Sequence, residues 1–440
     1  MYLKGSRLNY TRRRKRSNPW RILVLVALVG IALYFNEVVV PKTPPLFIPT
    51  PTPTRSPESF VSEAQTLETQ GKINQAIQAY KKAAEVDPKN PINYIAMARL
   101  QIYAGSYEEA ATNAANALLL NPNNSTAHAL RGWALGFTGD FLEAEGALRR
   151  ALELDPNNAA AYSYLAEVTI LKIQAGQGDL NSLQKAIESS RKAEELAPGQ
   201  METHRARGLV LEQTANYEEA VREFEAAIAR NPNIADLHLA LGRNYRALQQ
   251  YDKAVEEFNR ANALNPTDPL SLTYISRTYA TVGEYAKAIQ FAQQALKISP
   301  EDPYLWGNLG QMLYRNREYP SAVKALRLAV RGGTTEDGVP VKGLPLDYGR
   351  VAEYYYTYGL ALARQGECGE ALEISRTLME GVPNDDTAVY NAQEIINICK
   401  EIAQTPGSPS NASIPMLTGQ ATSESGNSSP VQQGTPSPQP

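Results

Sequence analysis

The feature that most constrains this chain is a period of 34 residues. Prolines that end helix-favouring stretches recur every 34 residues along the 440-residue chain, apart from one interval of 42. They are Pro88, Pro122, Pro156, Pro198, Pro232, Pro266 and Pro300. A fixed period of this length predicts stacked helical hairpins, each burying its apolar face only against its neighbours.

Two alanines recur inside each period. One lies twelve residues before each proline and the other five residues before it, as at Ala254 and Ala261 before Pro266. Small residues at fixed positions let two antiparallel helices approach closely, while larger residues fill the remaining gaps. An aromatic residue is shared by most periods at the turn between the helices, and we expect it to wedge against the next period. These residues are Tyr107, Phe141, Tyr217, Tyr251, Tyr285 and Tyr319.

The internal pattern resembles the tetratricopeptide repeat (TPR). The sixth unit reads His238-x2-Leu241-Gly242-x2-Tyr245, then Ala254-x3-Phe258 and Pro266, with His in place of the signature Trp. The eighth unit has the Trp itself, at Trp306. The resemblance covers about residues 57–384. It implies an all-α fold, a right-handed superhelical solenoid of about nine TPR helical hairpins plus a C-terminal capping helix. The composition of the N-terminal stretch places a single transmembrane helix before it.

We expect five segments. They are a basic cytoplasmic segment at 1–21, a transmembrane signal anchor at 22–40, a Pro/Thr-rich linker at 41–56, the TPR solenoid at 57–404 and a disordered tail at 405–440. The expected units lie near 57–88, 91–122, 125–156, 159–198, 201–232, 235–266, 269–300, 303–332 and 352–383, with a cap at 386–402. Extra residues around 173–180 lengthen the fourth unit. The loop at 331–350 either contacts ligand or is a tolerated insertion, and the second interpretation is favoured.

The N-terminal stretch has the composition of a membrane anchor. Every residue from Ile22 to Phe35 is apolar, Gly or Tyr, and Val38–Val40 extend the stretch towards the ~20 helical residues that a bilayer core requires. Basic residues precede it without any acid, which predicts a cytoplasmic N-terminus and an extracytoplasmic body in a single-pass membrane protein. A cleaved signal peptide and a buried helix of the body are the two alternatives.

The sequence argues against an enzyme. It has no phosphate-binding GxxxxGK[ST] loop, HExxH, GxSxG or CxxC motif. Its histidines, His128, His204 and His238, all fall in the aromatic fourth position of their units, so we interpret them as packing residues. We expect no catalytic residue, metal or cofactor. The basic N-terminus is offset by a mildly acidic remainder, which disfavours nucleic acid as a partner.

The two cysteines are Cys368, at the turn position that most units fill with Tyr, and Cys399, on the following helix. They form either a disulfide, favoured if the body lies outside the cytoplasm, or two buried free thiols. The sequence leaves both alternatives open.

The resemblance also implies a concave groove lined by the first helix of each hairpin. Its inward positions carry a basic and aromatic set in the later units: Arg205, Arg243, Arg246, Arg277, Tyr304, Gln311, Tyr314, Arg315, Tyr356 and Arg364. In the earlier units the same positions are more apolar, and include Tyr103 and Trp133. Our hypothesis is that the later units bind an acidic segment or a C-terminal carboxylate. The alternative is that nearby Glu202, Glu212 and Glu353 simply neutralise these arginines.

The sequence therefore predicts a membrane-anchored TPR scaffold or adaptor that binds other proteins or peptide segments, in the cell envelope. The alternative is a non-catalytic accessory subunit of an envelope assembly, secretion or glycan-synthesis enzyme complex. The oligomeric state, the partner's identity and its pathway are left open, because this fold serves many unrelated pathways.

Overall fold

The computed structural model describes residues 18–39 and 55–404. The expected linker at 41–56 lies outside this range up to residue 54, as do the tail at 405–440 and residues 1–17 of the basic segment. The chain divides into two compact units, the first ending at Arg55 and the second beginning at Ser56. We describe each unit by itself.

In the first unit, helix α1 spans Pro19–Tyr34 and continues as a π-helical turn over Phe35–Val39. It begins three residues before the expected start of the apolar stretch. The Asn18 side chain accepts a hydrogen bond from the Trp20 amide at 3.2 Å, and Pro19 occupies the first helical position, where a missing N–H costs nothing. The Asn18 cap therefore sets the first residue of the helix, and a count of apolar residues does not detect such a cap.

In the second unit, nine helical hairpins follow one another, and a last helix ends the described residues; the fold class is confirmed. In order, the hairpin helices are α2 (Pro57–Thr69), α3 (Ile73–Val86), α4 (Pro91–Tyr103), α5 (Tyr107–Leu120), α6 (Ser125–Thr138), α7 (Phe141–Leu154), α8 (Ala159–Gln174), α9 (Ser182–Leu196), α10 (Met201–Gln213), α11 (Tyr217–Arg230), α12 (Ala235–Ala247), α13 (Tyr251–Leu264), α14 (Leu270–Thr281), α15 (Tyr285–Ile298), α16 (Pro303–Arg315), α17 (Tyr319–Arg331), α18 (Arg350–Arg364) and α19 (Cys368–Gly381). Hairpin 1 is α2–α3 and hairpin 9 is α18–α19. Helix α20 covers Asp386–Gln404.

The boundary between hairpins is set by local chemistry. The side chain of Asn124 accepts a hydrogen bond from the Ala127 amide at 2.9 Å, and Asp302 accepts one from the Tyr304 amide at 2.8 Å. Each satisfies an amide that the new helix leaves without a partner. Within a hairpin the turn needs a positive φ, which Gly adopts without strain. It is usually met by Gly, as at Gly139 with φ of 86°, but by Ala215 at 58° in hairpin 5.

The recurrent alanines and glycines are contact points between the two helices of a hairpin. Ala254 and Ala261 are fully buried. A Cβ added to Gly242 would lie 2.5 Å from the ring of Phe258, so only Gly allows this approach. The sequence therefore encodes the spacing within each hairpin directly, through residues too small to hold the helices apart.

In hairpins 3, 6 and 8 the ring at the fourth position contacts the proline that follows the preceding hairpin. Trp306 Nε1 donates to the carbonyl of Pro300 at 2.8 Å, and Nε2 of His238 lies 3.0 Å from the carbonyl of Pro232. His128 makes the equivalent contact with Pro122 at 3.0 Å. Trp and His thus share the position because both combine a flat ring with an N–H that reaches the last carbonyl of the preceding hairpin.

The loop expected at 331–350 contains a small β-hairpin, which the all-α prediction did not include. Strand β1 (Gly332–Thr334) pairs antiparallel with β2 (Pro340–Lys342). Leu344 is buried next to it, and its carbonyl accepts a hydrogen bond from the Tyr355 hydroxyl at 2.8 Å. Both strands contact α17 of hairpin 8, the Tyr355 bond connects the segment to hairpin 9, and the segment ends where α18 begins at Arg350.

Helix α20 lies against both helices of hairpin 9. Its Ala392 and Ile395 are fully buried there. A disulfide joins Cys368, the first residue of α19, to Cys399 of α20, with Cα atoms 5.6 Å apart. Of the two arrangements that the sequence left open, the structure has the disulfide.

Candidate functional site: an arginine and tyrosine surface on the first helices

The first helices of successive hairpins contact one another along the array, from α4·α6 to α16·α18. Within residues 55–404 the second helices of neighbouring hairpins have no comparable contacts. The array must therefore curve with the first helices on its inner side. Side chains at their exposed positions line this inner surface, and the candidate site is the part contributed by α12, α14, α16 and α18.

Several charged and polar side chains on the inner surface pair between neighbouring hairpins at a separation of 31 residues. Arg243 donates from Nε and Nη2 to the two carboxylate oxygens of Glu212, at 2.8 and 2.9 Å. Arg99 donates to Glu68 at 2.9 Å, and Arg205 contacts Asp236. A residue on one first helix thus faces the residue 31 positions away on the neighbouring first helix. We call each such pair a rung.

One rung carries two positive charges. The residue 31 positions after Arg246 is Arg277, and neither forms an ion pair with a carboxylate of residues 55–404. Arg246 lies over the ring of Tyr274, with its Cζ 5.5 Å from the ring centre. Arg277 follows Tyr274 by three residues on the same face of α14 and donates from Nε to Asn308 Oδ1 at 3.1 Å. Tyr274 therefore lies beneath Arg246 and one helical turn before Arg277, which also hydrogen-bonds the Tyr354 hydroxyl.

The electrostatics reflect this crowding. Burial lowers the pKa of Arg246, and the nearby guanidinium groups of Arg277, Arg350 and Arg243 lower it further. The pKa of Arg277 is also lowered by burial and by Arg350. The opposite holds for Arg243, since the Glu212 carboxylate outweighs the effect of burial and raises its pKa. The Arg246–Arg277 rung is therefore a patch of positive charge that no carboxylate of residues 55–404 pairs with.

Arg350 completes the cluster, and the sequence reasoning missed it. It is the first residue of α18, where the β-hairpin segment ends, and it forms an ion pair with Glu353 at 3.2 Å. The missed tyrosines are Tyr274, beneath Arg246, and Tyr354, whose hydroxyl donates to the carbonyl of Tyr304 at 3.2 Å. The 31-residue separation would have found the rung itself, since it can be counted in the sequence.

The remaining expected residues differ in exposure. Tyr304, at 47 % exposure, Arg315 and Arg364 are exposed, and Tyr314 and Tyr356 are half-buried. Gln311 is buried, and its amide donates to Glu353 at 3.2 Å. Arg315 and Arg364 both lie near the C-terminal end of a first helix, at the edge of the surface. Glu212 and Glu353 thus neutralise or engage part of the set, as the alternative interpretation held, but not the Arg246–Arg277 rung.

Arg205 does not belong to this open surface, contrary to our expectation. It is 5 % exposed and donates to both oxygens of Glu167 on the preceding hairpin, with Nη2 at 2.7 Å from Oε1. It also contacts Asp236 on the following hairpin. Its guanidinium carbon lies 5.5 Å from the ring centre of Trp133. Arg205 therefore connects hairpins 3 to 6 from inside and is inaccessible to a partner.

The inner surface of the earlier hairpins is occupied by its own side chains. Trp133 is fully buried and stacks on Tyr164 with ring centres 4.1 Å apart. The hydroxyl of Tyr103 donates to Glu202, 99 residues further along the chain, at 3.3 Å. Hairpin 2 thus reaches across to hairpin 5. The aromatic residues that we placed in an open groove form an internal packing core instead.

The histidines have structural partners. Nδ1 of His238 lies 2.6 Å from the Glu257 carboxylate, and Nδ1 of His204 lies 2.7 Å from that of Glu223. Both pairs join the two helices of one hairpin. No group of three or more His, Cys, Asp or Glu side chains suited to a metal ion occurs within residues 18–39 and 55–404.

Models of one family match the sequence, each described as tetratricopeptide repeat. They match residues 67–134, 125–158, 205–269 and 275–337. These ranges lie in hairpins 1 to 3 and 5 to 8, and leave out hairpin 4, with its lengthened turn, and hairpin 9. No curated protein matches the sequence.

Several solved structures are similar. One is a chain of the crystal structure of the APC/C hetero-tetramer Cut9–Hcn1, at 18% identity and a TM-score of 0.45. That match covers 66% of this chain and 52% of the other, so this chain spans about half the length of that relative. Pseudomonas aeruginosa pilF matches at 21% identity and a TM-score of 0.38, over 46% of this chain and 90% of its own. A tetratricopeptide repeat protein from Parabacteroides merdae matches at 17% and 0.41, over 63% and 97%.

Proposed function

Since this chain is built from tetratricopeptide repeats, we propose that it is a membrane-anchored scaffold whose later hairpins bind an acidic segment of a partner protein. Repeats of this kind bind other proteins or peptides, and the fold is typically non-catalytic. The observation that carries the proposal is the Arg246–Arg277 rung. Every other inner-surface arginine named above as a rung member faces a carboxylate, whereas this rung has two cations and a tyrosine ring.

An incoming carboxylate would supply the missing counter-charge. Arg offers a planar fork of donors that matches a carboxylate, and Tyr offers rigid contact area at low entropic cost. The bound segment is confined to hairpins 6 to 9, because the inner surface of the earlier hairpins is already filled by Trp133 and its neighbours.

The membrane anchor rests on the first unit. Residues Pro19–Val38 form 20 residues of apolar helix, about 30 Å long, and none of its side chains is buried by protein. A signal sequence would have the same properties. The basic residues before the helix favour a cytoplasmic N-terminus and an extracytoplasmic body. The Cys368–Cys399 disulfide supports this orientation, since disulfides persist in oxidising compartments.

Topology is tested by adding protease to intact cells, with and without detergent, and blotting for an epitope placed after residue 404. We expect digestion without detergent. Protection until detergent is added would reverse the orientation. Recovery of the body in the medium would show that the anchor is cleaved.

Binding is tested with the full-length protein in detergent and a fluorescein-labelled hexaglutamate peptide, using hexaglutamine as the reference. We expect saturable, salt-sensitive binding of hexaglutamate that Arg246→Glu/Arg277→Glu abolishes. The matched control is Arg191→Glu/Arg222→Glu, which reverses two arginines on second helices that are 71% and 66% exposed. Equal loss in the control variant, or equal binding of hexaglutamine, would remove the proposed site.

A further inference from the structure

The outer side of hairpins 1 and 2 contains a cavity. Because the second helices of neighbouring hairpins have few contacts within residues 55–404, a gap opens between α3 and α5, and α4 closes its floor. The cavity has a volume of about 700 Å³, within the range of about 300–1,000 Å³ that is typical of ligand pockets. Cavities between α7 and α9 and between α11 and α13 are smaller, at about 480 and 250 Å³.

The floor of this cavity is largely apolar. Met97 and Tyr94 of α4 line it, and Met97 is otherwise buried, at 4 % exposure. Ile77 of α3 is half-buried and lines one wall. A methionine adapts its shape to the group that it contacts. The cavity therefore suits an apolar side chain, which would remove this surface from water.

Three carboxylates line the same cavity without a partner. Glu85 lies in the last turn of α3, and Glu108 and Glu109 lie in the first turn of α5. None of the three side chains forms an ion pair or a hydrogen bond with another residue of 18–39 or 55–404. Lys81 is the single basic side chain among the described residues that line the cavity. The lining therefore carries two more negative than positive charges.

The two smaller cavities differ in this respect. Between α7 and α9, Lys172 donates to the Glu145 carboxylate at 2.6 Å. Between α11 and α13, the Tyr245 hydroxyl donates to Glu225 at 2.6 Å. These carboxylates are thus engaged within the protein, whereas those of the cavity between α3 and α5 remain open to a ligand.

We propose that the cavity between α3 and α5 binds a partner segment in which an apolar side chain is flanked by Lys or Arg residues. The apolar side chain enters the cavity against Met97, and the flanking cations balance the surplus of negative charge. This site lies on second helices, outside the acidic-segment surface, and does not depend on the proposed function of that surface. It would give the scaffold a second partner, of opposite charge to the first.

The test measures anisotropy of a fluorescein-labelled pentapeptide, a central leucine with two lysines on each side, with the full-length protein in detergent. Detergent alone gives the baseline. One reference peptide replaces the lysines by glutamine, and the other replaces the leucine by serine. We expect saturable binding of the leucine–lysine peptide, about tenfold tighter than that of either reference, because each reference lacks one of the two matching features. Equal binding of either reference would overturn the proposal.

Hairpin 5 offers matched control variants, since Glu218 and Glu219 occupy the same positions in α11 as Glu108 and Glu109 in α5. Glu108→Gln/Glu109→Gln should weaken the leucine–lysine peptide about fivefold, because two exposed charge contacts are lost. Glu218→Gln/Glu219→Gln should leave its affinity unchanged. An equal loss in both variants would show that general surface charge, not the cavity, attracts the peptide.

A second variant tests the cavity itself. Thr112 is exposed and lines it, so Thr112→Trp should fill it and abolish binding of the leucine–lysine peptide. Arg222→Trp, at the same position of hairpin 5, should have no effect. Circular dichroism checks that each variant is folded. Unchanged binding in Thr112→Trp would overturn the proposal. Sedimentation of the protein as a dimer that Thr112→Trp dissociates would also overturn it, since a second copy would then occupy the cavity.

Discussion

The ion pair of Arg205 allows the sharpest test of how the inner surface is held together. Glu167 is 3 % exposed, and Arg205 donates three hydrogen bonds to it. In Arg205→Met the side chain still fills its space, but Glu167 is left as a buried charge without a partner. Removing one member of a buried pair costs about 3–5 kcal/mol of the free energy of unfolding.

A matched variant separates burial from pairing. Arg243 binds Glu212 with the same two-pronged geometry, but their side chains are 24% and 18% exposed. Water can solvate the carboxylate that is left behind, so Arg243→Met should cost only about 1–2 kcal/mol. Urea unfolding of the full-length chain in detergent, followed by far-UV circular dichroism, measures both.

A second substitution identifies the cause. Glu167→Leu in the Arg205→Met background removes the orphaned charge, and the double variant should return to within about 1 kcal/mol of the original protein. If Arg205→Met cost no more than Arg243→Met, or if Glu167→Leu brought no recovery, Arg205 would not be the internal connection described here.

The cost of Arg205→Met should also depend on pH. Burial raises the pKa of Glu167 even with Arg205 present, and losing Arg205 removes the largest opposing influence. A carboxyl whose pKa is higher in the folded than in the unfolded state binds its proton more tightly when folded, so lowering the pH favours the folded state. The destabilisation of Arg205→Met should therefore be smaller at pH 5 than at pH 7.5.

Two further predictions concern stability, measured by thermal unfolding. Ala215→Gly should stabilise the protein by about 0.5–1 kcal/mol, because Ala215 has a φ of 58° that Gly adopts without strain. Gly71→Ala should destabilise the protein, because Gly71 has a φ of 74° and an added Cβ would lie 2.6 Å from the Asn233 side chain. An unchanged melting temperature in both would contradict the turn argument. Thr203→Val should stabilise the protein by about 1 kcal/mol, because the fully buried Thr203 hydroxyl has no hydrogen-bond partner within residues 55–404. Destabilisation by this substitution would show that the hydroxyl does have a partner.

The hairpins could be predicted from the sequence because each repeats the same contacts. Ala254 and Gly242 lie where two helices touch, and only small residues fit there. Such residues report local packing, which the period makes recognisable. The small β-hairpin between α17 and α18 occurs once in the described residues, so no repeated pattern in the sequence predicts it. Gly332 and Gly343 are equally compatible with an irregular loop.

The candidate site was only partly predictable, because a residue at an inward position of a hairpin is not always exposed. Arg205 and Arg243 both occupy inward positions of their units, yet Arg205 is buried and Arg243 is half-buried. The difference arises from Tyr103 and Trp133 of earlier hairpins, which approach hairpin 5 across the array. Contacts between residues about 100 positions apart depend on the curvature accumulated over several hairpins, which a single repeat does not encode.

The 31-residue rung supplies a last prediction, in which stability and binding change in opposite directions. Arg243 faces the Glu212 carboxylate across its rung, whereas the residue 31 positions after Arg246 is Arg277. Arg277→Glu would convert the like-charged rung into an ordinary ion pair. The free energy of unfolding of Arg277→Glu should exceed that of Arg277→Gln by about 0.5–1 kcal/mol, because the new ion pair is partly exposed. Both variants lose the guanidinium contact with Asn308, so this loss cancels in the comparison. Binding of hexaglutamate should be lost in Arg277→Glu and only weakened in Arg277→Gln. If Arg277→Glu were no more stable than Arg277→Gln, the two arginines would not face each other across the rung. The surplus charge on which the proposed site depends would then lie elsewhere.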